Sequence, residues 1–249
     1  MIIDTHCHIY YSEVENADEI IKECKKNNII MILNGLDKKS NLEVLELSKK
    51  YDNVYAAIGY DHSVVDKINE EDLILLENQL QNEKVIAIGE IGLDYYWVKD
   101  NKEKQKQLFI KELELAEKYN LPVIIHSRDA VQDVYDILKT RNLRGSIHCY
   151  SGSTEMAQEF IKIGFYIGID GPITFKNNKK QRQMVKDIDI KHILVETDSP
   201  YLSPEPNRGK ANTSLNLVYI IKQIATECNM NYEDIRDITT NNARKLFKI

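Results

Sequence analysis

Residues 102–126, KEKQKQLFIKELELAEKYNLPVIIH, hold one complete unit of the pattern that decides the fold. Apolar residues recur at helical spacing through Lys102–Tyr119, Asn120 lies just past the last turn, and Pro122 blocks continuation. Val123–His126 follows, a short, nearly all-apolar run that ends on a histidine. Outward from this unit the alternation repeats in both directions. Further apolar runs lie at Ile2–Asp4, Ile29–Asn34, Val54–Gly59, Val85–Gly89, Ser146–His148, Phe165–Ile169 and His192–Glu196. Amphipathic helical patterns fill Ala17–Asn27, Ser40–Lys50, Glu70–Gln81, Ala130–Arg141 and Thr154–Ile163, and helices about Leu215–Cys228 and Tyr232–Phe247 close the chain. The runs are β-branched, as strands buried on both faces should be. Only the seventh lacks a convincing helix after it. Eight such units in 249 residues predict an α/β fold, a TIM-type (β/α)8 barrel. A doubly wound sheet is the weaker reading, because no Gly-rich phosphate loop follows the first strand. With no linker, low-complexity tract or compositional break, residues 1–249 read as a single domain.

Composition sets outer bounds. Apolar residues make up 43% and charged residues 29%, which excludes disorder over most of the length. No window approaches the ~18 apolar residues that cross a bilayer, and Asp4, His6 and His8 interrupt any secretory signal at once. The expectation is a cytoplasmic protein with no membrane association and no obligatory protein partner. With 33 Lys+Arg against 39 Asp+Glu the net charge is −6, which argues against nucleic-acid binding through a broad basic surface but not through one local site. Of the four cysteines, Cys7 and Cys149 adjoin histidines. They read as small buried side chains beside a site, with a thiol nucleophile as the sharper alternative.

The residues that carry chemistry sit at the ends of the runs. Asp4-Thr5-His6-Cys7-His8 ends the first; positions i and i+2 of a strand share a face, so both imidazoles can meet one ion. Glu90 follows the fourth run, His126 ends the fifth, His148 ends the sixth and Asp198 follows the eighth. In a barrel all of them ring the carboxyl-terminal mouth. Four of the six histidines fall there; His192 begins a strand at the opposite end, and His62 fits either a structural or a site role. Four imidazoles with two or three carboxylates exceed the needs of one catalytic zinc. They suit two divalent ions ~3.5–4 Å apart sharing a carboxylate, which implies metal-assisted hydrolysis.

The segments DTHCH (Asp4–His8), GEIGLDY (Gly89–Tyr95), PVIIHSRDA (Pro122–Ala130), HCYSG (His148–Gly152) and ETDSPYLSP (Glu196–Pro204) resemble the TatD family of metal-dependent hydrolases, barrels of the amidohydrolase superfamily. The resemblance runs from residue 1 to the C-terminus. It implies two divalent cations (Zn, Mn or Mg) held by His6, His8, Glu90, His126, His148 and Asp198, with Glu90 bridging. It further implies a deoxyribonuclease acting on DNA, at single-stranded or frayed 3′ ends. The alternatives are amide or ester hydrolysis on the same site, such as D-aminoacyl-tRNA deacylation, and a non-catalytic metal-dependent binding protein.

Roles follow from these positions. Asp198 is expected as general base beside the bridging Glu90, the alternative being pure ligation. Glu196 faces the same side of its strand and is expected to hold a ligand histidine by a hydrogen bond. Asp94 and Arg128 are read as substrate contacts, with an Asp94–Arg128 ion pair as the alternative, and Arg208 and Lys210 as phosphate contacts. Tyr95, Tyr96 and Trp97 are expected to line the cleft, stacking a terminal base. Lys102–Lys106 and Lys176–Lys180 read as solvated faces. Two positions depart from the family pattern. Asp61-His62 stands where His-Pro is usual, and Ser214 replaces the proline that ends the Arg208–Ser214 loop, predicting a less rigid loop.

Overall fold

The computed structural model describes residues 1–97 and 100–249. Eight parallel strands pair strictly in chain order: β1 (Ile2–Cys7), β2 (Ile29–Asn34), β3 (Val54–Ile58), β4 (Val85–Asp94), β5 (Val123–Arg128), β6 (Gly145–Ile147), β7 (Phe165–Ile169) and β8 (Ile193–Val195). Between them lie α1 (Ala17–Lys26), α2 (Lys38–Lys50), α3 (Glu70–Gln79), α4 (Lys102–Tyr119), α5 (Val131–Leu138), α6 (Thr154–Lys162) and α7 (Lys179–Asp187). The helices α8 (Leu217–Cys228) and α9 (Tyr232–Phe247) follow the last strand. This is a TIM-type barrel. The sheet closes where β1 meets the segment after β8, through Cys7 paired with Ser199 and the bonds Asp198 N–H to His6 C=O (3.0 Å) and His8 N–H to Ser199 C=O (2.7 Å).

Local signals explain the boundaries. Asn120 ends α4 in the left-handed conformation (φ 51°) and its amide bonds back to the helix, as its place before Pro122 predicts. Asp37 and Ser40 form a reciprocal cap on α2, and Asn69 and Asp72 form one on α3. Two apolar clusters hold the layers together. One lies between barrel and helices, around residues such as Phe109, Phe160 and Phe165. The other fills the barrel with Ile3, Ile32, Ile86, Ile124 and Leu194, closed at the amino end by Ala243, Leu246 and Phe247 of α9. Asn242 of α9 donates to the carbonyls of Ile190 and Ile193, so that end is sealed and the carboxyl end stays open.

Two readings change. The seventh strand does have its helix, α7; its sequence KKQRQMVKD hides it, because only Met184, Val185 and the side chain of Gln181, bonded to the Tyr150 carbonyl, face inward. Glu90 does not follow β4 but sits within it. The strand runs on to Asp94 past an irregular register between Ile88 and Ile91, and all ten of its residues are buried.

Phe160 is fully buried against Tyr135, Tyr150 and Phe165, with ring centroids 5.6, 6.2 and 6.5 Å away. Phe160→Ala is expected to cost about 3–5 kcal/mol, read as a lower midpoint of urea unfolding with an unchanged slope.

Candidate metal centre at the barrel mouth

Six side chains from five strand ends converge. Glu90 is nearly buried at the centre and its two oxygens divide the others between them. Oε2 lies 3.2 Å from Nε2 of His6 and 3.4 Å from Nε2 of His8, and Asp198 Oδ1 stands 3.5 and 3.4 Å from the same two nitrogens. Oε1 lies 2.8 Å from Nδ1 of His126 and 3.0 Å from Nε2 of His148. The predicted set is therefore brought together whole. Asp198 reaches it from a turn beyond β8, in the left-handed region at φ 54°.

The backs of the rings show which nitrogen carries the lone pair. His8 Nδ1 lies 2.8 Å from the Asn34 carbonyl, which can only accept, so the proton is on Nδ1 and the lone pair of Nε2 points at Glu90 and Asp198. His126 Nε2 lies 3.0 Å from Asp94 Oδ2 and Nδ1 faces Glu90, so without a metal the ring is protonated on both nitrogens, and a cation at Nδ1 would displace the proton there. His148 Nδ1 lies 3.6 Å from Glu196 Oε1, an ion-pair rather than a hydrogen-bond separation. Lone pairs facing carboxylate oxygens at these distances repel unless a proton or cation lies between them. The donor set, all nitrogen and oxygen, suits a divalent cation on each side of Glu90.

The charges respond to this packing. Burial would raise the Glu90 carboxyl, but the His148 and His6 imidazoles and hydrogen bonds from His126 and His148 hold it well below its ordinary value. Burial would lower His126, yet its bonds to Asp94 and Glu90 take it up to about 9. Burial would likewise raise Asp94, but the His126 bond and the Trp97 amide bring it to about 2. His6, fully enclosed and beside His148, is lowered. Burial pushes both Cys7 and Cys149 thiols far up, which removes the thiolate a cysteine nucleophile needs.

The mouth above the centre is a cavity of about 700 Å³, lined in part by Asp61, His62, Trp97, Arg128, Pro172 and Leu202. Several expectations shift here. Asp94 is not free for substrate: Oδ1 accepts the Tyr96 and Trp97 amides (2.8 and 2.9 Å) and Oδ2 holds His126. Nor does it pair with Arg128, whose guanidinium lies over the Tyr96 ring at 4.0 Å. Arg208 and Lys210 stay outside the cavity lining, on an exposed loop. That loop is pinned without the proline, because Asn212 donates to the carbonyls of Thr197 (2.9 Å) and Tyr201 (2.7 Å) and accepts from Asn216 (2.7 Å). Tyr95 is buried and donates to Asp133, while Tyr96 and Trp97 are exposed at the rim. Glu196 lies behind His148, though too far for the hydrogen bond expected of it, and accepts the Cys149 amide at 2.6 Å. His62 resolves toward the site, stacked on His126 at 5.0 Å. Its neighbour Asp61 accepts the Ser63 amide and hydroxyl (2.9 and 2.5 Å), while His192 stays at the amino end of β8.

Sequence reasoning missed three supports. Asn34 orients His8 through a backbone carbonyl, a signal invisible in side-chain type. Asp4 accepts the Thr197 amide (3.0 Å) and hydroxyl (2.6 Å) and so anchors the turn that carries Asp198. Asp170, just past β7, is fully buried with neither oxygen paired among the described residues.

A TIM-type barrel with a histidine–carboxylate centre at its carboxyl mouth is the architecture of metal-dependent hydrolases. The comparisons narrow this. The family described as "TatD related DNase" matches residues 3–248. A Bacillus subtilis protein named "Uncharacterized metal-dependent hydrolase YabD" is 42% identical, with all of both chains covered. One from Methanocaldococcus jannaschii, also named an uncharacterized metal-dependent hydrolase, is 38% identical, over 99% of this chain and 96% of its own. The crystal structure of YJJV, a TatD homologue from Escherichia coli K12, superposes with a TM-score of 0.92 at 27% identity, covering 100% and 98% of the two chains. The chain belongs to the TatD family and is a metal-dependent hydrolase. No helix among the described residues is long and apolar enough to cross a membrane.

Two outcomes test these supports. Asp94→Asn is expected to loosen His126 and weaken metal binding about 10–100-fold, measured by competition with a chromogenic chelator. Burial and the Glu196 charge raise Asp170 to about 7, above its unfolded value near 3.8. Between those values the unfolded chain binds fewer protons than the folded one, so stability falls as pH rises and levels off above about 7. In metal-free protein Asp170→Asn should lessen that decline, read from unfolding midpoints between about pH 5 and 8.

Proposed function

We propose that the protein is a two-metal phosphodiesterase acting on DNA, with Asp198 as general base. The observation that carries the reading is the division of Glu90, one oxygen toward His6 and His8, which Asp198 also faces, and the other toward His126 and His148. His6, His8 and Asp198 with Oε2 would hold one cation, and His126 and His148 with Oε1 the other. Bound there, two divalent cations would acidify water and offset charge on a phosphodiester oxygen. The chain's own residues supply the rest. Asp198 lines the cavity and its carboxylate accepts the proton of the attacking water. Asp94, Asn34 and Glu196 fix the rings from behind, so no reorganisation is needed as charge develops. Arg128 opens into the cavity with no carboxylate partner among the described residues, and its fork suits a phosphate oxygen pair. The family description as a DNase supports DNA as the substrate.

Elemental analysis of purified protein is expected to show close to two divalent ions per chain, and fewer than one would contradict the centre. Asp198→Asn should lower turnover by about 10²–10⁴ on a labelled single-stranded oligonucleotide while retaining most of the metal. Undiminished turnover would remove Asp198 as base. Hydrolysis of aminoacyl-tRNA or small esters with no cleavage of DNA would replace the phosphodiester reading by the ester one.

A further inference from the structure

Two arginine–aromatic pairs flank the mouth, and the chemistry above uses neither aromatic partner. The first joins the end of β4 to the end of β5. Arg128 lies 4.0 Å from the Tyr96 ring and 5.3 Å from the Trp97 ring, and those two rings meet edge-on at 4.9 Å. Trp97 is 68% exposed and Tyr96 48%. Their backbone is nonetheless fixed, because both amides end on Asp94, the carboxylate that also holds His126.

The second pair joins the loops after β7 and β8. Arg208 lies 4.1 Å over the Phe175 ring, beside a depression of about 360 Å³ that also takes in Lys176 and Asn177. These loops are also fixed. Glu205 N–H donates to Thr174 Oγ1 (2.8 Å), Arg182 donates to the Ile173 and Phe175 carbonyls, and Asn178 donates to Pro172 (3.1 Å). At Gly171 the two loops approach so closely that a Cβ would lie 1.9 Å from the Leu202 carbonyl. The nearest carboxylate to Arg208 among the described residues, Glu205, is 3.9 Å away, so its charge is only loosely answered.

In the ring of eight strands the ends of β4 and β5 stand three places from those of β7 and β8, so the pairs occupy different sectors of the rim around the Glu90 centre. Pro172 and Leu202 line the cavity, and the Phe175 amide donates to the Pro172 carbonyl at 3.0 Å. A guanidinium lying on an aromatic ring offers its outer face, and any uncovered ring beside it, to a base of any kind while its N–H edge meets the adjoining phosphate. A pocket for a terminus needs one such platform and a wall opposite. Here there are two.

We propose that single-stranded DNA crosses the mouth, with one base on the Trp97–Arg128 platform, the scissile phosphate at the Glu90 centre, and a base beyond it on the Phe175–Arg208 platform. This rests on the phosphodiester reading and changes one part of it: the strand passes through, and no end is required. Because both platforms are held before the strand arrives, little ordering is needed on binding.

Trp97 is the chain's single tryptophan, so its emission reports one platform directly. The probe is a closed circle of oligothymidylate compared with its linear form, on metal-loaded protein. The circle is expected to quench Trp97 emission and to be cut. Phe175→Ala and, as a check on a more exposed side chain, Arg208→Ala should each weaken binding of the circle about tenfold and raise KM with little change in kcat. If linear DNA is cut but the circle neither quenches nor is cut, the crossing strand is overturned and the phosphodiester reading stands. If the circle quenches Trp97, the variants weaken it, and neither DNA is cut, the groove stands and the phosphodiester reading falls. Unchanged binding in both variants overturns the far platform.

Discussion

A parallel barrel must close, and here the closing seam and the reactive centre are one structure. The first strand meets the eighth through only a few bonds. Asp4 takes both the amide and the hydroxyl of Thr197, Thr5 donates to the Val195 carbonyl and to Glu196, and the backbones of His6 and His8 exchange bonds with Asp198 and Ser199. Asp4 and Thr5 with Thr197 and Ser199 thus serve the seam, while the side chains of His6, His8 and Asp198 serve the centre. His6, His8 and Asp198 are placed by closing the barrel, so a change that opens the seam also dismantles the site. The cost is a buried carboxyl at Asp4, which burial raises to about 7 despite its hydrogen bonds. A neutral or shared proton there is cheaper than an isolated charge, and the donors from Thr197 recover part of what desolvation takes.

The centre is organised from behind. An imidazole offers a lone pair from one nitrogen only, and which one depends on what the other touches. A carbonyl at Asn34 and a carboxylate at Asp94 make that choice for His8 and His126, while Glu196 stands 3.6 Å behind His148 as a charge. Asp94 does a second job, since its other oxygen carries the amides of Tyr96 and Trp97. One side chain therefore sets both the orientation of a ring in the centre and the position of the aromatic rim. The buried acids are divided by environment: Glu90 and Asp94 are surrounded by donors and stay charged, while burial and the charge of Glu196 push Asp170 to about 7.

Much of this was legible in the chain because strand ends are legible. An apolar run with a histidine or carboxylate at its end needs only the period of two and the barrel rule to place that residue at the mouth. What stayed hidden depends on contacts between strands. Asp94 looks like a mouth residue until the His126 ring is seen against it. Asn34 acts through its backbone, so its side chain gives no hint. Helix α7 is concealed by composition, with charge or amide on most of its nine residues. Arg208 and Lys210 were placed on the right loop, but the conformation that turns them outward is set by Asn212, whose buried amide holds Thr197, Tyr201 and Asn216 together.

The net charge of −6 remains the feature that sits least easily with a polyanionic substrate. It does so only when charge is averaged. Many surface acids are answered locally, as Asp18 is by Lys50 and Asp66 by Lys104, and such pairs are screened within ~8–10 Å in physiological salt. The mouth is different. Asp61, Asp94, Glu90 and Asp198 face it, and without cations they would repel a phosphate outright. Two divalent ions would reverse that balance by about four charges in a cavity with low-dielectric walls, where fields reach further than over open surface. On the phosphodiester proposal, affinity for substrate is then conditional on metal. Arg128 and Arg208 stand outside the carboxylate cluster, so they can meet phosphates on either side without being neutralised by it.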